Sequence, residues 1–183
     1  TILEEIGIDF IDDEALGLWK DAGADVNGTR VRVPRELMMS LIEQAPSEFT
    51  WHARNPDRTV RVGGRNMVFG PNGGAFITGL DGVRRRIVKA DMPTIVKLVH
   101  CLAPIHVSTG SQVTDLSDVP APLRHLDQIY CALRYSDKPI CATAYSRDAA
   151  EDAIEMCRIV FGADFVDSNT VTASIINGNT PLK

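Results

Sequence analysis

Between Lys138 and Gly162 the sequence KPICATAYSRDAAEDAIEMCRIVFG encodes one complete strand, loop and helix with both ends marked, and few folds accept such a unit. Pro139 to Tyr145 is mostly apolar and too short for an ordinary helix, so it reads as a buried parallel strand. Ser146 is a good N-cap, Asp148, Glu151 and Asp152 place anions in the first turns, and Gly162 suits the left-handed position after the last turn. Ala150, Ala153, Ile154, Cys157, Val160 and Phe161 recur at helical spacing. That apolar face needs a sheet larger than one strand.

The flanking sequence repeats the same rhythm. Asp91 is expected to cap a helix facing inward through Met92, Ile95, Val96, Val99 and Leu102, which Pro104 ends, and Ile105 to Thr109 reads as a strand leaving through Gly110-Ser111-Gln112. A helix over roughly Pro122–Tyr135, with Leu123, Leu126, Ile129, Tyr130 and Leu133 inward, leads to Lys138-Pro139, and Val171 to Ile176 is a further strand that exits through Asn177-Gly178-Asn179. Strands alternating with helices imply a parallel sheet. Periodicity fits either a doubly wound sheet or part of a (β/α)8 barrel. No G-x-G-x-x-G follows a strand, and the exits are small and polar, as at a barrel's carboxyl face.

Upstream, residues 1–48 read as a small α+β module. Thr1 to Ile6 is the end of a helix, Asp12 or Asp13 caps a second, Asn27-Gly28 marks a two-residue hairpin, and Leu37, Met38, Leu41 and Ile42 form the buried face of a helix begun at Pro34. Residues 49–90 read as a meander of short hairpins, with residues 91–183 left for the first βα units. The glycines after Phe69 lack the lysine of a phosphate loop and are taken as turn geometry.

Charge and cysteines narrow the class. A net charge of −5 over 183 residues, with basic residues scattered apart from Arg84-Arg85-Arg86, gives no field for a nucleic-acid backbone, and the triplet reads as a solvated strand edge. No apolar run approaches the ~20 residues of a membrane helix. Cys101, Cys131, Cys141 and Cys157 have no metal-ligand spacing and read as buried thiols of a reducing cytoplasm. Opening on Thr1 in what reads as a running helix, the chain is expected to be a fragment. His52 and His125 are expected at the surface, and His100 and His106 as structural.

The motifs Leu3-Glu4-Glu5-Ile6-Gly7-Ile8, Ala22-Gly23-Ala24-Asp25-Val26, Val31-Arg32-Val33-Pro34, Ala45-Pro46-Ser47, Ala53-Arg54, Ser136-Asp137-Lys138-Pro139 and Thr180-Pro181-Leu182 occur in order along the chain. As an ordered set they resemble the amino-terminal part of the trimethylamine methyltransferase superfamily of corrinoid-dependent methyltransferases. The resemblance implies a partial TIM-type barrel behind the small α+β module. It also implies transfer of a methyl group from a methylamine or a betaine-like quaternary amine to a corrinoid carried by a partner protein, with none bound by this segment. The pyrrolysine of some family members would lie beyond Lys183. A barrel of ~250 residues would be about half contained here, with exposed edges that favour a homo-oligomer.

Displacing a methyl group from a quaternary ammonium needs positioning rather than a strong acid or base: a ring face for the cation, polar groups for a carboxylate tail, and an open mouth. No catalytic or metal-binding residue is assigned. Substrate-binding candidates, chosen by strand-end position, are Phe69, Asn72, Gln112, Tyr145 and Asn177. Tyr145 offers either a ring for the cation or a cap for the core, and Asn177 either a carboxylate ligand or a turn. Two other readings stay open, a non-catalytic self-associating fragment and part of an unrelated barrel lyase or aldolase. Lys138 precedes its strand, which disfavours a Schiff-base role.

Overall fold

Ser146 does cap its helix: the hydroxyl accepts the Ala149 amide at 3.2 Å, and the helix runs Arg147–Phe161 until Gly162, at φ +89°, turns the chain. A computed structural model describes residues 2–71, 73–108, 116–142 and 144–175, in two units, 2–47 and 48–175. Elements are numbered β1 (Ile8–Asp9), α1 (Asp13–Asp21), β2 (Asp25–Asn27), β3 (Arg30–Arg32), α2 (Arg35–Glu43), β4 (Glu48–Trp51), β5 (Val60–Gly63), β6 (Phe76–Thr78), β7 (Arg84–Arg86), α3 (Met92–Cys101), α4 (Arg124–Tyr135), β8 (Ile140–Cys141), α5 (Arg147–Phe161), α6 (Ala163–Ser168) and β9 (Thr172–Ala173). Among the described residues no helix is long and apolar enough to cross a membrane.

The first unit is a three-stranded antiparallel sheet in the order β1-β3-β2 with α1 and α2. Asp12 caps α1. The β2–β3 loop is Gly28-Thr29, one residue later than the Asn-Gly reading, and Gly28 supplies the positive φ of +58°. Val31 and Val33 are buried as alternation requires, but neither helix buries a side chain fully. Leu41 and Ile42, expected inside, are exposed.

In the second unit β4 pairs antiparallel with β5 and β6 with β7, whereas Met67 to Phe69 forms no strand. The arginine triplet lies on exposed β7, where Arg84 and Arg86 lie over the Phe76 ring and Arg85 binds Asp91 through two 2.7 Å hydrogen bonds. Asp91 turns back to these partners and to the Val88 amide instead of capping α3 with its side chain. Beyond it, β8 and β9 pair in parallel with Ile140 opposite Thr172 and Cys141 opposite Ala173. The Ser108 amide donates to Pro139 at 2.8 Å, which brings the segment expected as a strand alongside β8. These elements form no closed barrel among the described residues.

Alternation along β8 builds both sides of this parallel layer. Ile140 and Ala142 pack with Ile129, Leu133, Ala153 and Cys157 of α4 and α5, while Cys141 joins Val107 and Trp51 on the other side. Burial pushes the Cys157 thiol up to about 11 and keeps it protonated. Cys101, expected buried, is exposed. So are Leu123 and Tyr130, because α4 is rotated from the expected orientation and buries His125 and Gln128 beside Ile129, Ala132 and Leu133.

At the amino end of β8, Lys138 is buried and its ammonium donates to the carbonyls of Val99 (2.7 Å), Leu102 (2.8 Å) and Ile105 (2.5 Å). The Val99 and Leu102 carbonyls lie at the end of α3, where the helix dipole favours positive charge, and Ile105 lies just beyond it. Burial, with Arg58 second, lowers the Lys138 pKa from its ordinary value. This lysine is committed to main-chain oxygens, which accounts for its place before the strand.

Candidate functional site

The inner side of the parallel layer carries a cavity of about 480 Å³. Its wall is Cys141 and Ala173 from the parallel pair β8–β9 with Val107 from the segment beside β8, and the β4–β5 hairpin covers it with Trp51 and Val62. Phe49 and Trp51 alternate with Thr50 on β4, and Val62 and Val60 face them across the register, so one face of the hairpin is apolar. The Trp51 indole N–H donates to the Val171 carbonyl at 3.3 Å, which fixes the ring. Val68, Gly70, Pro71, Ser174 and Ile175 complete the lining. No described residue lining this cavity is charged. Such a wall can desolvate a cation against an indole face, the strongest of the aromatic rings for that purpose, and offers no general acid or base.

The sequence-derived candidates divide. Gly70-Pro71 and Ser174-Ile175 bring the segments next to Phe69 and Asn177 to this cavity, but Asn72, Gln112 and Asn177 lie outside the described residues. Phe69 is exposed and stacks on His106, with ring centroids 5.8 Å apart, and its amide donates to His106 Nδ1 at 3.0 Å. Its main chain borders the layer while its ring stays outside the lining of the cavity. Tyr145 lies on the opposite, helix side, in a separate cavity of about 790 Å³ between the first turns of α4 and α5. There its hydroxyl is 2.9 Å from Nδ1 of His125, and the expectation of a surface His125 is corrected, since the ring is 3% exposed.

Trp51 ends β4 of the hairpin and so escaped a search confined to the exits of the expected parallel strands and the end of the meander. The two-residue alternation of Phe49 and Trp51 opposite Val60 and Val62 is the signal that marks it. His125 was hidden differently: with Gln128, Ile129 and Ala132 it makes the i, i+3, i+4, i+7 stripe of a buried helix face, which a polar-outward reading passes over. Among the described residues there is no cluster of His, Cys, Asp or Glu suited to a metal ion.

The family model described as Trimethylamine methyltransferase (MTTB) matches residues 1–183. The chain belongs to this family. It is 41% identical over 184 residues to the glycine betaine methyltransferase of Desulfitobacterium hafniense (strain Y51), which covers all of this chain and 38% of that protein. Over 121 residues it is 27% identical to the L-carnitine:corrinoid methyltransferase of Eubacterium limosum, covering 65% of this chain and 24% of that protein. A shorter match, 39% identical over 49 residues, joins it to the proline betaine:corrinoid methyltransferase of the same organism, with 27% of this chain and 10% of that protein covered. The chain thus spans well under half the length of these relatives.

Proposed function

We propose that the protein carrying this chain transfers a methyl group from a betaine-like quaternary amine to a corrinoid held by a second protein, and that its parallel layer belongs to a TIM-type barrel. The observation that carries this reading is the 41% identity to a glycine betaine methyltransferase along the whole chain. The uncharged inner cavity supports it physically. As the methyl group leaves, the C–N electron pair stays on nitrogen, and the amine departs neutral without needing a proton. The reduced corrinoid, as co-substrate, supplies the electron pair for the new bond to carbon. What remains for this chain is to hold the cation: Trp51 presents a ring face, Val107 and Val62 exclude water, and Ser174 lies on the same wall.

Protein of the relatives' length, incubated with glycine betaine and a reduced corrinoid protein, should shift the corrinoid absorbance to that of the methylated form and release dimethylglycine in equal amount. An unchanged spectrum across glycine betaine, proline betaine, carnitine and trimethylamine would contradict the proposal.

A further inference from the structure

The β6–β7 hairpin carries an exposed surface that the methyl-transfer scheme leaves unused. Alternation sorts its side chains: Ile77 packs inward against the cluster of Ile87, Met92 and Val96, while Phe76, opposite Arg86 in the register, is exposed. The guanidinium carbons of Arg84 and Arg86 lie 4.4 and 5.6 Å from the centroid of the Phe76 ring, whereas Arg85 between them is committed to Asp91. A ring face orders a guanidinium without neutralising its charge. Beyond the strands, the Gly79 amide donates to the Val83 carbonyl and the Gly82 amide to the Gly79 carbonyl, both at 3.0 Å, and Asp81 accepts the Val83 amide. That frame holds Leu80 wholly in solvent, at a tip where turn geometry favours small or polar residues, and Val83 is exposed beside it. We propose that this hairpin is a docking surface for an acidic face of the protein that carries the corrinoid.

Two observations choose this occupant. The first is charge. Residues 75–88 hold three arginines and one aspartate in a chain of net charge −5, so the patch is opposite in sign to the chain as a whole. Arginine and aromatic side chains around exposed apolar groups are what a protein interface is built from, and the positive sign steers an acidic partner to it. The second is place. The exit of β8 leads to Tyr145, whose hydroxyl contacts His125 in the first turn of α4. From the same turn Asp127 binds the Lys89 ammonium at 2.6 Å, and the Lys89 amide donates to Asp118 at 2.8 Å. Lys89 lies three residues past β7, so the root of the hairpin stands at the carboxyl end of the parallel pair. Ser174 and Ile175, just past β9, line the inner cavity at that end. A methyl acceptor mounted on a protein meets the hairpin as it approaches. The choice of partner rests on the methyl-transfer reading; the exposed basic surface does not.

Hydrogen exchange read by mass spectrometry, on protein of the relatives' length, tests the proposal. The amides around Leu80 should exchange freely in the protein alone and slow when the corrinoid protein is added. Protection already present in the protein alone would overturn it, the surface then being covered by the rest of its own chain, or by a second copy where the protection grows with protein concentration. Leu80→Ser combined with Arg84→Glu should raise KM for the corrinoid protein by about tenfold or more and weaken its dependence on salt, with kcat and glycine betaine binding unchanged. An unchanged KM would overturn the docking surface as well. The wild-type exchange experiment decides the matter even if the variant does not fold. Methylation of the corrinoid with the hairpin unprotected refutes the docking alone, and protection of the hairpin without methylation from any of the four amines refutes the methyl-transfer reading alone.

Discussion

The two cavities beside β8, of about 480 and 790 Å³, are built from opposite chemistry. The inner one takes residues from the β8–β9 pair, the segments beside it and a fixed indole, and no charged group lines it among the described residues. The helix-side one takes the first turns of two helices, where polar and acidic residues concentrate, and its buried His125 ring has a hydrogen-bond partner at each nitrogen. An apolar wall can accept a ligand cation because it has no charge of its own to satisfy. A wall whose buried polar groups are already satisfied by the protein is suited to hold a loop still. Lys138 shows the second situation at the amino end of the same strand, with main-chain carbonyls as the acceptors.

The strongest way to break this contrast is Trp51→Ala, which should destabilise the protein by about 3–5 kcal/mol in denaturant unfolding and abolish quaternary-amine binding. Trp51→Phe should keep most of the stability and weaken binding alone. Lys138→Met removes the ammonium from the carbonyls of Val99, Leu102 and Ile105 and should cost about 2–3 kcal/mol, with no effect on ligand binding. The wild-type folded pKa of this lysine lies below the unfolded one, so between the two the unfolded chain binds more protons. Wild-type stability relative to Lys138→Met should therefore rise with pH through that alkaline window. A flat difference would remove the buried-charge description of Lys138.

Smaller effects sharpen the comparison. Tyr145→Phe should cost about 1 kcal/mol by removing both links of its hydroxyl, while inner-cavity affinity changes little at a pH where the remaining fold is intact. Asp91, far from the contrast, serves as a reference. Its hydrogen bonds with Arg85 hold its carboxyl at about 2, so its contribution is present above the unfolded pKa and disappears as pH falls through about 2. With its partner in water, Asp91→Asn should lower stability by at most about 1 kcal/mol at pH 7 and flatten the acid limb below about pH 4.

Much of the local structure was legible because its signals are local. Ser146 and Gly162 bound α5, Asp12 caps α1, and the alternation of Val31 and Val33 marks buried positions of the return strand. The orientation of α4 was not, since a stripe containing His125 and Gln128 is recognisable as buried only when Tyr145, Asp152 and Ala121 arrive from elsewhere to satisfy the ring. Leu41 and Ile42 failed for the complementary reason: an apolar face shows what can be covered, not what covers it. Of the strand-end candidates, Phe69 and Tyr145 lie outside the lining of the inner cavity, and Asn72, Gln112 and Asn177 lie outside the described residues. Trp51 was missed because it belongs to a hairpin lid, whose distance in sequence from Val171 hides their contact.

The most direct test is a titration of the protein with glycine betaine, followed by NMR at the Trp51 indole N–H and the His125 ring. A saturable shift at Trp51 with His125 unmoved is the expected result. Shifts at His125 and Tyr145 with Trp51 unmoved would place the ligand in the helix-side cavity and contradict the account.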